Sequence, residues 1–143
     1  MKMLCFAGLL CLMAACQGQP SAEQQLAAAE KTVLARHDSL MARMDQLYEL
    51  RQQLAKAPAP ADTVAVGQAR RALVGAEDGM MDWMHRYRRP ADTVAAARRL
   101  AYYARQQERI DSVGRLFESS QLAARQVLDA APAAAAPSTS VTQ

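Results

Sequence analysis

Aromatic residues make up only 5% of this chain, and glycine occurs six times in 143 residues. Strands favour aromatic and β-branched side chains and tight hairpins favour glycine, so scarcity of both argues against a sheet protein. An excess of one charge is also missing. Seventeen lysines and arginines face fourteen acids, too even a balance for a nucleic-acid binder, which concentrates basic charge. The longest apolar run, Met3 to Met13, falls short of the roughly 20 residues that a bilayer-crossing helix needs. There is no glycine-rich phosphate loop and no His-Glu-x-x-His pair. His37, Asp38 and Ser39 are consecutive, so on a helix they point in different directions and make no triad. Asp78 and Asp82 lie one helical turn apart, a spacing read as a solvated face before an acid pair. Nothing here predicts an enzyme.

The apolar run itself carries information. Lys2 precedes it, and it ends Leu12-Met13-Ala14-Ala15-Cys16 before the polar Gln17-Gly18-Gln19-Pro20. This layout is that of an exported chain's leader. It resembles the bacterial lipobox, in which small residues precede a cysteine that is lipidated and becomes the first residue after cleavage. Met13 stands where leucine is commoner, and a plain secretory signal cut near Ala15 is the competing reading. Of three cysteines, Cys5 and Cys11 lie within the leader, which leaves Cys16 alone. Lipidation accounts for that odd thiol. The expected organisation is a removed signal at 1–15, a lipidated tether at 16–21, and membrane attachment through Cys16. Loss of Lys2 leaves sixteen bases against fourteen acids, a net charge of about +2. The predicted place is the cell envelope, with Gln17 rather than aspartate favouring the periplasmic face of the outer membrane.

What the chain has in abundance is alanine, leucine, glutamine and arginine, all good helix formers. Ser21 with Gln24 has the pattern of a capping box. Pro60-Ala61-Asp62-Thr63-Val64 recurs as Pro90-Ala91-Asp92-Thr93-Val94. Both copies read as helix starts, with Asp62 and Asp92 as N-caps. Helices are therefore predicted over about 22–56, 62–88 and 92–131, within a helical region 22–131. The stretch 132–143, rich in alanine, proline, serine and threonine, is expected to be disordered. In the first helix Leu26, Val33, Leu40, Leu47 and Leu54 recur every seven residues, with Leu34, Met41 and Tyr48 alongside. Four residues on from the first four stand Glu30, His37, Met44 and Arg51. Val66, Leu73, Met80 and Tyr87 mark the second helix, and Tyr103, Ile110, Phe117 and Ala124 the third. Gln107, Gly114 and Gln121 interrupt that last seam. The expected fold is all-α, an antiparallel three-helix bundle with long coiled-coil-like helices. Gly75 and Gly79 share a stripe where a neighbouring backbone could approach closely.

Two short motifs carry a resemblance. His37-Asp38 followed by Met41 and Met44, and then Met80-Met81-Asp82-Trp83-Met84, resemble a family of small Bacteroidota envelope lipoproteins, often labelled "viral A-type inclusion protein". The resemblance spans about Lys31 to Leu128. It implies a lipidated signal, a helical body, an envelope location and no established activity. The alanine- and arginine-rich texture departs from the lysine- and glutamate-rich members, a difference of surface rather than core.

At about 1.5 Å per residue, His37 lies about 28 Å from the first turn and Met80 to Met84 about 26–33 Å from it. His37, Met41, Met80, Trp83 and Met84 are therefore predicted to be level. Methionines filling a core layer against an aromatic ring are one explanation. The other is a Cu(I) site with His37, Met41, Met80 and Met84 as ligands and Trp83 adjacent, since thioethers and imidazole suit that soft ion. His37 and His85 alone are too few for zinc. In an up-down-up bundle the second turn lies at the tether end. Gln17 to Ser21 span at most roughly 17 Å, which brings Arg86, Arg88, Arg89, Arg98 and Arg99 within reach of lipid head groups. Arginines there also complement a helix C-terminus without touching lipid. An unidentified envelope protein is the remaining partner the composition allows. Nothing in the sequence fixes the oligomeric state.

Overall fold

The computed structural model describes residues 19–57 and 63–130. The leader, Cys16, Asp62 and the segment 132–143 lie outside the described residues, and so do the expectations that rest on them. Four helices are present: α1 (Ala22–Met41), α2 (Met44–Ala55), α3 (Thr63–Arg86) and α4 (Ala96–Ala130). They form three rods packed against one another, because α2 continues the direction of α1.

The heptad seam is buried along its whole length. Leu26, Val33, Leu40, Leu47 and Leu54 meet Leu73 and Met80 of α3 and Tyr103, Ile110, Phe117 and Ala124 of α4 in one apolar cluster. Val66 and Tyr87 pack on its margin. Three of the residues four on from the seam face α3 and the connection that follows it: Glu30 pairs with Arg89 of that connection at 3.2 Å, His37 stacks on Trp83, and Arg51 pairs with Glu77 at 2.8 Å. Those three residues orient the first rod against the second.

The capping box at Ser21 forms as read. Ser21 Oγ accepts from the Gln24 amide at 3.2 Å, and Gln24 Oε1 accepts from the Ser21 amide at 2.8 Å.

The helix boundaries need three corrections. The first predicted helix is broken at Ala42–Arg43, where Arg43 N–H bonds Leu40 O at 2.9 Å and Gln46 N–H bonds Arg43 O at 3.1 Å. These three-residue spacings tighten the turn, as in a 3₁₀ step. The tightening coincides with Arg43 lying over the Phe117 ring and donating to Gln121 Oε1 at 3.0 Å. The second predicted helix stops at Arg86 rather than Arg88, although Tyr87 N–H still reaches Trp83 O at 2.9 Å. The third starts at Ala96, so Asp92 is not its cap. The Asp92 carboxylate is taken by the Arg99 guanidinium at 2.9 Å, and Ala95 O receives the first amides, those of Arg98 and Arg99.

The interrupted seam of α4 turns out to be a polar contact with the first rod. Arg36 and Arg43 are seven residues apart, as are Gly114 and Gln121, and the two pairs meet. Arg36 lies directly over Gly114, with Nε 3.2 Å from Asp111 and Nη2 3.7 Å from Glu118. A Cβ at position 114 would sit 2.9 Å from Arg36 Cζ. Gly114→Ala should therefore show coupling. Alanine gains about 1 kcal/mol of helix propensity over glycine, and in the native background that gain is offset because the methyl displaces Arg36 from partly exposed ion pairs. In an Arg36→Ala background the same substitution should stabilise by about 1 kcal/mol. Urea unfolding of the four proteins tests this, and equal effects in the two backgrounds would refute it.

Gly79 faces α4, but what lies close is a side chain and not a backbone: a Cβ there would lie 3.3 Å from Leu116 Cδ1. At Gly75 nothing lies within 4 Å of the Cβ position.

Candidate functional site

The level arrangement of the two motifs produces an aromatic column. His37 of α1 stacks on Trp83 of α3 with ring centroids 5.5 Å apart, and Trp83 stacks on Tyr87 at 4.9 Å. Tyr87 continues to Tyr102 of α4 at 6.2 Å, and Tyr102 meets Tyr103 edge-on at 5.6 Å. The column thus runs from the first rod through the second to the third. Arg88 N–H donates to Tyr102 Oη at 2.9 Å, which fastens the connection after α3 to α4.

The candidate copper ligands occupy different environments. Met80 is fully buried, Met84 is partly buried against the core, and Met41 is 37% exposed. His37 Nδ1 lies 3.0 Å from Asp38 Oδ1, while its ring face covers Trp83. His85 turns back on its own helix, with Nδ1 2.7 Å from Met81 O. Among the described residues no group of three or more His, Cys, Asp or Glu side chains gathers to hold a metal ion. Asp82 pairs with Arg86 one turn on at 2.8 Å, the behaviour of a solvated face.

Two phenols of the column, those of Tyr87 and Tyr103, are withdrawn from water. Burial first, and then the neighbouring Tyr103 and Glu30, push the Tyr87 phenol up to about 12 from an ordinary 10. Tyr103 is raised in the same direction, again chiefly by burial and then by Glu30. Arg89 is raised by contact with the Tyr103 phenol first, then by the Glu30 and Asp92 carboxylates. A raised phenol pKa means that the unfolded chain releases its proton first. Stability is then fully present below pH 10 and lost as pH rises through about 12. Phenolate absorbance and helical circular dichroism should therefore change together across that window, and phenolate appearing fully near pH 10 in a folded chain would contradict this.

The five arginines divide. Arg99 is buried, with Nη1 3.8 Å from Glu23 and Nη2 2.9 Å from Asp92. Arg89 binds Glu30, Arg86 binds Asp82, and Arg88 donates to the Tyr87 carbonyl at 2.7 Å. Arg98 is exposed and has no side-chain partner among the described residues. The Glu23–Arg99 pair also places the start of α1 at the same end as the α3–α4 connection.

A concavity lies toward the other end of the bundle, between α2 and α3. It is an open groove of about 750 Å³ lined by Arg51, Gln52, Ala55, Gly67, Arg70, Arg71, Val74, Gly75 and Asp78. The sequence reading did not single it out. Its signal was the pair Arg70-Arg71 between two glycines.

Among the described residues no helix is long and apolar enough to cross a membrane. No family model matches this chain, and comparison with curated proteins and with solved structures finds no match.

Proposed function

We propose that this chain is a membrane-anchored cell-envelope lipoprotein that serves as a non-catalytic helical interaction or structural module. The observation that carries the reading is the leader, Met3 to Met13 followed by Ala14-Ala15-Cys16 and an abrupt polar stretch. The bundle supports it from the other side. Its first helix begins at the Ser21 capping box, five residues after Cys16, at the end where Arg88 and Arg98 stand available to head groups. The lipoprotein-family motifs around His37 and Met80 to Met84 agree with the same location. Two or three acyl chains on one cysteine give stable attachment, whereas one chain gives only marginal binding. Intact mass of the protein isolated from membranes tests the reading. Cleavage before Cys16 with a diacyl or triacyl glycerylcysteine is expected, and an unmodified Cys16 would overturn it.

A periplasmic Cu(I)-binding protein is the alternative. Its support is the placing of His37 against Trp83, with Met80 and Met84 on the same stretch of α3. Core packing accounts for the same contacts without a metal, and the Trp83 variant described in the Discussion separates the two.

A further inference from the structure

Three rods leave one face of the bundle uncovered. On α1 and α2, His37 and Arg51 meet α3 while Arg36 and Arg43 meet α4. Leu34, Met41 and Tyr48 each follow a buried seam residue by one position, about 100° further round on the α3 side. On α3, Val74 and Met81 follow the buried Leu73 and Met80 in the same way. Antiparallel helices turn in opposite senses when viewed from one end, so the two rows flank a single groove on the face away from α4. All five residues are exposed, Tyr48 to 54% and Met81 to 44%. The open groove between α2 and α3 is the distal continuation of this channel, since it contains Val74.

The channel is not uniformly charged. At its distal end stand Arg51, held by Glu77, together with Arg70 and Arg71, which have no side-chain partner among the described residues. Asp78 lines the inner end of the same groove, and toward the tether end the exposed positions beside Leu34 and Met41 are Asp38 and Asp45. Gly67 and Gly75 keep the distal wall low. Two copies anchored in the same membrane, as the lipoprotein reading requires, start at the same end and would set Asp45 against Asp78 and arginine against arginine. That arrangement repels, whereas a separate helix with the opposite charge order does not.

We propose that this channel seats an amphipathic helix of a partner protein, completing a four-helix bundle. Its apolar residues at heptad spacing cover Leu34, Met41, Tyr48, Val74 and Met81, and its carboxylates meet Arg70 and Arg71. This rests on the interaction-module reading above and specifies its partner chemistry. Burying two apolar rows gives the association its drive, and the unpartnered arginines set the direction in which the helix lies.

The test uses the full chain in detergent and two fluorescent peptides with leucines at heptad spacing. One peptide bears glutamates at one end and the other bears lysines there. The glutamate peptide should bind preferentially and weaken with salt. Arg70→Glu with Arg71→Glu should reverse the preference, costing the glutamate peptide about tenfold or more, which is about 1.4 kcal/mol. Met81→Glu should weaken both peptides while helical circular dichroism stays unchanged. The proposal is overturned if neither peptide binds, if both bind equally, or if charge reversal leaves the preference as it was. It is equally overturned if the chain alone sediments as a dimer that Met81→Glu dissociates. Peptide binding is read in detergent and the anchor by mass, so failure of one leaves the other standing.

Discussion

Trp83→Ala should lower the stability of the bundle by about 3–5 kcal/mol, the usual cost of emptying a large aromatic site. The ring is buried and lies between His37 and Tyr87, so its loss removes two stacking contacts as well as apolar area. Single domains are stable by only about 5–15 kcal/mol, so a large part of the total is at stake. Urea unfolding followed by circular dichroism measures it. A loss below about 1 kcal/mol would mean that the column is peripheral to the fold. The same variant decides between packing and metal. If the cluster is core, anaerobic Cu(I) leaves Trp83 fluorescence of the native chain unquenched, and the unfolding midpoints of both proteins do not move with the ion. Stoichiometric quenching with submicromolar affinity, more than about 8 kcal/mol, would establish the copper reading instead.

Cys16→Ala should shift the chain from the membrane fraction to the soluble fraction altogether. Among the described residues no helix can cross a bilayer, and the surface contributes only weak attraction. Arg99 is held by Asp92 and Glu23, and Arg89 by Glu30. That leaves chiefly Arg88 and Arg98, and a basic residue near an anionic surface contributes about 1 kcal/mol. Two such residues give marginal binding. Fractionation of cells producing the variant checks this, and retention at the native level would show that Cys16 is not the anchor.

Much of this architecture could be read from spacing alone. The seven-residue recurrence from Leu26 to Leu54 became a continuous buried seam, because apolar burial acts on faces and faces are set by helical period. His37 and Arg51 came to α3, and Glu30 to the connection after it, for the same reason. Three features depended on contacts that period does not encode. Asp92 has the local pattern of a cap, but Arg99 takes its carboxylate from seven residues away. Gly114 looked like a weak point in α4 until Arg36 of another rod was found lying over it. Leu34, Met41 and Tyr48 stand alongside the seam in sequence and are exposed in the fold, since a bundle of three rods has no fourth to cover them.

The break at Ala42–Arg43 has a mechanical consequence. A pull applied at the N-terminus runs along α1, which is held by its buried seam against α4, by the Arg36–Asp111 and Glu23–Arg99 pairs and by Glu30 and His37, and whose backbone ladder tightens and restarts at Arg43. Load reaching Ala42 must then pass through Arg43, clamped by Gln121 and the Phe117 ring, before it enters α2. The first rod therefore has a joint at its midpoint. The backbone ladder of α1 can end there without interrupting that of α2, but Leu26, Val33 and Leu40 belong to the shared core, so tension at the leading end is borne by the bundle as a whole.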